Sequence, residues 1–279
     1  MTAAPIAPAE PHEGSSEKRL FLKKALFLWT LAVVGAVLAL PYTVALEHGA
    51  VIAAAQQKHM STGMLLSLSV GQSLVILAVA VSAGLWAAGK LGLRTPLVDA
   101  VVFRTRTAAG SYVTLLFAAA AGVVTGILLL AADHWIFAPI PSVAEFLRTA
   151  GATGSSRNPW YGFLASFYGG LDEEILMRLG LLSLLALAFR WLTGMFGATY
   201  TAPLPTGVFW CANIATALLF GLGHLPATAA IAAITPALAA RAIALNGAAG
   251  IVFAVLYRRF GLEWAIVSHF GCDIILHVV

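Results

Sequence analysis

The sequence predicts an all-α fold, a polytopic transmembrane helical bundle of seven to eight spans. Three observations carry this. Of 279 residues, 60% are hydrophobic and only 10% are charged, where a soluble domain carries about 25% charged residues. Mean hydropathy is +0.91. The apolar residues also fall in long runs, and about 20 of them suffice to cross a bilayer as a helix. A transmembrane β-barrel would instead alternate apolar and polar residues. The same composition excludes disorder, collagen, coiled coil and a disulfide scaffold.

Residues 1–24 are rich in Pro, Glu and Ser and end in Lys18, Arg19, Lys23 and Lys24, which reads as a disordered basic tail. Residues 25–132 should hold three N-terminal spans: Leu26–Leu46, Gly63–Gly89 and Thr107–Ala132. Lys90, Arg94, Arg104 and Arg106 lie between the last two, a basic loop of the cytoplasmic kind. A linker follows over 133–159, with Pro139, Pro141 and the run Gly154-Ser155-Ser156-Arg157-Asn158-Pro159. It has room for a short interfacial helix around Val143–Ala150, where Glu145 and Arg148 argue against a span. Residues 160–279 carry the rest: a fourth span over Trp160–Phe189, a fifth over Thr206–His224, a sixth ending at Tyr257, and a seventh over Trp264–Val279. Pro226 and Pro236 break the stretch between the fifth and sixth. If residues 225–240 crossed the membrane separately, the spans would number eight.

With the basic clusters inside, seven spans give a cytoplasmic N-terminus and a multi-pass protein of the cell (inner) membrane. A net charge of +4 and a pI near 9.3 fit that pattern, and no basic patch with interleaved aromatics points to nucleic acid. The N-terminal region is not expected to be a secretory signal, because about 25 polar residues precede a run too long for an h-region. Cys211 and Cys272 both lie in apolar segments and read as small core residues. The absence of an internal repeat weighs against a transporter, since such folds are often built from repeats.

The informative residues are ionisable ones in apolar surroundings, where a charge costs about 2.5–3.5 kcal/mol at a helix centre. The fourth span contains Leu171-Asp172-Glu173-Glu174-Ile175-Leu176-Met177-Arg178. Glu174 and Arg178 are spaced i,i+4 and can pair on one face, the ordinary packing role of such residues. Glu173, about 100° away on a 3.6-residue helix, is left to face something else. Asp172 reads as a helix-entry or solvent-facing acid. Phe220-Gly221-Leu222-Gly223-His224 ends the fifth span, and His269-Phe270-Gly271-Cys272-Asp273 places a His and an Asp one turn apart in the last. His12, His48, His59 and His134 fall in loops or tails, and His277 is nearly terminal.

These groups admit two chemistries. In one, Glu173 is a general base, helped by His224, that activates water against a carbonyl, with His269 and Asp273 where an oxyanion develops. In the other, Glu and His ligate a metal that activates the water. Neither HExxH nor a GxSxG elbow occurs.

Taken in order, Glu173-Glu174-xxx-Arg178, Phe220-xxx-His224 and His269-xxx-Asp273 resemble the CAAX protease and bacteriocin-processing family, intramembrane glutamic endopeptidases. The similarity covers roughly Trp160 to Val279. It implies that Glu173 and His224 activate the hydrolytic water, that His269 and Asp273 stabilise the oxyanion, and that Glu174 and Arg178 support them. It implies no cofactor and no metal, and a protein or peptide substrate with a lipidated, CAAX-like or membrane-embedded tail, including a prenylated one, met within membrane lipid. Two departures stand out. The last motif position is often Asn, and an ionised Asp273 cannot donate a hydrogen bond, so it should orient and charge His269. Many relatives carry an aromatic residue before the Arg and Gly directly after it, where this chain has Met177 and Leu179. The relatives work at the cytoplasmic side, whereas the loop count places the start of the fourth span outside. Other classes to weigh are a non-proteolytic peptide-binding immunity or scaffold protein, a zinc-dependent membrane protease, and an ion-conducting transporter.

Overall fold

The computed structural model describes residues 13–106, 111–152, 158–195 and 203–279, and among these every regular element is helical. The chain runs through α1 (Glu13–Gln57), α2 (Thr62–Leu91), α3 (Pro96–Phe103), α4 (Ser111–Ala132), α5 (Pro141–Ala152), α6 (Pro159–Phe167), α7 (Ser183–Met195), α8 (Thr206–Gly223), α9 (Leu225–Ala229), α10 (Pro236–Arg259) and α11 (Leu262–His277). A π-helical turn, Asp133–Phe137, extends α4, and two π-helical stretches, Tyr168–Glu173 and Ile175–Leu182, join α6 to α7 into one rod.

Six of these rods are long and apolar enough to cross a membrane: Glu17–Ala45, Thr62–Leu91, Ser111–Phe137, Pro159–Met195, Thr206–Ala229 and Pro236–Arg259. The expected seventh span, α11, has 16 residues, or about 24 Å at 1.5 Å per residue. It is packed chiefly against α4, and also against α10 and α6. Small residues allow that closeness: a Cβ on Gly122 would collide with the Ser268 carbonyl, and one on Gly126 would sit 2.9 Å from the Cys272 carbonyl oxygen. The segment 225–240 makes no crossing of its own. It is the five-residue α9 and then the start of α10, whose N-cap Thr235 accepts the Leu238 N–H.

The tail needs correction. Helix α1 already begins at Glu13, so residues 13–24 are helical, and Lys24 reaches Asp99 of α3 at 2.7 Å. Residues 1–12 with His12, 107–110 of the third span and 153–157 of the linker lie outside the described residues, as does the side chain of His48. The basic loop carries an unanticipated helix, α3, with Pro96 at its first turn, where a missing N–H costs nothing. Its Val98 N–H donates to buried Glu263 at 2.7 Å. The linker helix is present as α5, longer than expected. Val143 and Phe146 bury one of its faces beside Leu238, while Glu145 and Arg148 pair on the exposed side.

The bundle therefore has two distinct ends. At one, the basic end, Arg190 Nη1 donates to the Lys90 carbonyl at 3.1 Å, Leu262 N to Arg94 at 3.1 Å, and Arg258 Nη2 to Leu204 at 3.1 Å. At the other lie α5, α9 and the Asp133–Phe137 turn. One apolar core joins α1, α2, α8, α10 and the π-helical rod through residues such as Leu28, Leu77, Leu179, Phe209 and Phe253.

Candidate active site

The fourth rod is not a plain α-helix where its acids lie. Two π-helical stretches flank Glu174, and this wider i→i+5 winding is frequent at functional sites. The 100° offset expected between Glu173 and Glu174 on an α-helix is thus replaced by π geometry, yet the two carboxylates still part company. Glu174 is wholly buried, while the Glu173 side chain keeps 22% exposure and lines a cavity.

Glu174 holds two groups at once. Its Oε1 lies 3.2 Å from Arg178 Nη1 and 2.7 Å from His269 Nδ1. A carboxylate can only accept, so Nδ1 carries the proton in that bond. The Arg178 guanidinium is buried with it, 4.8 Å from the Phe220 ring centroid and 5.4 Å from that of Phe253, which supplies cation–π attraction in place of water. The expected Glu174–Arg178 pair is present, and it is one side of a three-residue array.

The other imidazole nitrogen faces the cavity. His269 Nε2 lies 3.7 Å from Glu173 Oε2 and 3.5 Å from Asp273 Oδ1. The ring is clamped by stacking on Phe253, with centroids 4.5 Å apart and planes 21° apart. Phe220 then meets both histidines edge-on, His269 at 5.9 Å and His224 at 4.8 Å. His224 closes α8, with Nδ1 2.8 Å from the Phe220 carbonyl oxygen, so the imidazole is tied back to its own helix. Glu173, His224, His269 and Asp273 line one cavity of about 590 Å³, within the usual range for ligand sites.

Three features differ from the sequence reading. Asp172 is not at a solvent face: it is fully buried against Gly35 of α1, where any Cβ would meet its carboxylate. The group bonded to the outer nitrogen of His269 is Glu174, while Asp273 approaches the cavity-facing one. His277 lines the cavity beside Tyr42, 3.5 Å from its hydroxyl. His59 and His134 are absent from the cavity lining. Among the described residues, no group of three or more His, Cys, Asp or Glu is arranged to hold a metal ion.

Sequence reading also passed over the residues that shape the pocket. A Cβ on Gly169 would lie 3.1 Å from Asp273 Cγ and 3.3 Å from His269 Nε2, so only glycine lets these side chains meet the fourth rod. The signal was visible as Gly169-Gly170 one turn before the acids. Phe253 gave no signal, because an aromatic in an apolar helix is ordinarily core.

Residues 155–275 match the family model Type II CAAX prenyl endopeptidase Rce1-like. This Rce1-like segment contains every residue of the array, and the resemblance read from the three motifs rests on the same stretch. It supports a CAAX-type intramembrane protease in general terms, and the six apolar rods support an integral, multi-pass membrane protein. No curated protein and no solved structure matches the chain.

Proposed function

We propose that the protein is a glutamic-type intramembrane endopeptidase that cleaves near the C-terminus of a lipidated, CAAX-like or membrane-embedded tail. The observation that carries this is the placement of His269 between two carboxylates with different tasks. Glu174 holds Nδ1 from behind at 2.7 Å, and Glu173 faces Nε2 across the cavity at 3.7 Å. A purely structural ion-pair cluster would need neither the second glutamate nor an opening in front of it.

Glu173 takes a proton from a water positioned between it and His224, and the water oxygen attacks the scissile carbonyl. Negative charge then develops on the carbonyl oxygen. With Nδ1–H given to Glu174, a second proton on Nε2 makes His269 an imidazolium donor toward that oxygen. Glu174 and Asp273 balance its charge. Collapse of the intermediate breaks the C–N bond, and Glu173 returns its proton to the leaving amine. Arg178 pairs with Glu174 and holds it in place, and Phe253 keeps the imidazole from turning.

The basic segments 18–24, 90–106 and 258–259 favour a cytoplasmic N-terminus in the cell (inner) membrane. Asp133, Leu147, Ala227 and Arg241 bring the cavity mouth to the opposite end of the bundle. The test of the catalytic reading is Glu173→Gln, a change of nearly equal volume. Purified protein with a lipidated peptide should lose cleavage by mass spectrometry while keeping its thermal unfolding midpoint. Cleavage at the wild-type rate would remove Glu173 as the base.

A further inference from the structure

We infer that Arg241, at the mouth of the cavity, binds the free C-terminal carboxylate of the substrate tail, an inference that rests on the protease reading above. Arg241 lines the same cavity as Glu173 and His269, yet it belongs to none of the three motifs. Its guanidinium is held in one orientation by two contacts. Nε and Nη2 donate to the two Asp133 oxygens at 2.6 Å each, and its centre lies 5.4 Å from the Phe146 centroid. A guanidinium has five N–H donors in a planar fork. Asp133 occupies the side edge, which leaves the Nη1 end without a polar partner among the described residues. The side chain is 20% exposed. A fixed fork with an open edge suits bidentate recognition of a carboxylate better than a mobile ammonium does.

The position suits the ligand. Helices α8 and α10 are antiparallel: Gly221 packs on Ile243, and Gly247 on Ala217. Gly250 stands beside Arg178 and Phe220, and so marks the depth of the buried array on α10. Arg241 lies nine residues earlier, roughly 13 Å toward the mouth at ~1.5 Å per residue. An extended peptide advances ~3.3 Å per residue. A chain whose scissile carbonyl sits before Glu173 and His269 therefore brings its terminus to Arg241 after about four residues. The wall between is mostly apolar, with Ala242, Leu245 and Ala249 from α10. The cavity thus measures tail length from the cut and requires a charged end.

Binding is measured to the Glu173→Gln protein in nanodiscs by fluorescence anisotropy. The probe is a lipidated, dye-labelled peptide with a short apolar tail, made as the free acid and as the C-terminal amide. The free acid should bind at least about tenfold tighter than the amide, the scale of a charge-assisted pair. The gap should close when Arg241→Gln is added, and persist in reduced form with Arg241→Lys, which also covers the case in which the Gln variant fails to fold. Equal binding of acid and amide, or a gap unchanged by Arg241→Gln, overturns the assignment. A merely structural Arg241–Asp133 pair would weaken both probes alike. Cleavage by the wild-type enzyme is scored separately, so a failure of the protease reading is distinguishable from a failure of the carboxylate anchor.

Discussion

Glu174→Gln separates charge from shape at the centre of the site. The amide keeps the volume and can still meet His269 Nδ1, but it removes the carboxylate that, alone among the described residues, touches both Arg178 and His269, at 3.2 and 2.7 Å. Two consequences follow with different sizes. Arg178 is 1% exposed, so leaving its charge unpaired between Phe220 and Phe253 should destabilise the fold by about 3–5 kcal/mol. In the proposed mechanism the imidazolium loses one of its two balancing charges, and weakening one oxyanion donor typically costs about 10²–10³ in kcat. The assay is cleavage of a lipidated peptide by detergent-purified protein at a temperature where the variant is folded, with thermal unfolding measured alongside. Expected are a kcat lower by roughly 10²-fold or more, a KM changed little, and a clear drop in unfolding temperature. Replacing Arg178 by Met in the same protein should recover stability without recovering kcat, because the apolar side chain fills the space but restores no charge on His269. A Glu174→Gln enzyme within threefold of wild-type kcat would refute the claim that Glu174 sets the state of His269.

Other outcomes are equally direct. Gly169→Ala should lower stability by about 1–3 kcal/mol through overpacking and abolish cleavage, because the new methyl displaces Asp273 and His269; calorimetry and turnover together check this. Phe253→Leu should keep the fold and cut kcat, since His269 loses its stacking partner; an unchanged rate would remove the clamp. EDTA or phenanthroline should leave cleavage intact, whereas inhibition reversed by Zn²⁺ would establish a metalloenzyme. Ala144→Cys on α5 should react with an impermeant maleimide from outside intact cells and Arg106→Cys should not; the reverse pattern would turn the cavity mouth toward the cytoplasm.

Much of the fold was legible because membrane helices are written in simple terms. The backbone must satisfy its own hydrogen bonds in lipid, so Thr62–Leu91 or Thr206–Ala229 announces itself by apolar length alone. The acids and histidines were legible for the complementary reason. A group such as Glu174 or His269 is too costly in an apolar helix to persist without a partner. Asp172 misled because a carboxylate beside other acids looks solvated, and nothing in the sequence announces that Gly35, far away on α1, leaves room for it.

Apolar run length and misplaced charge, both properties of the chain read one segment at a time, determined the helical membrane class and singled out Glu173, Glu174, Arg178, His224, His269 and Asp273. Only the tertiary structure decided which carboxylate holds which nitrogen of His269. It also decided that the acid-bearing rod is wound as π-helix, and that Arg241 pairs with Asp133 in the lining of the same cavity. Those are distances between rods distant in sequence, set by where small residues such as Gly122, Gly169 and Gly221 let the backbones close, and no local pattern encodes them.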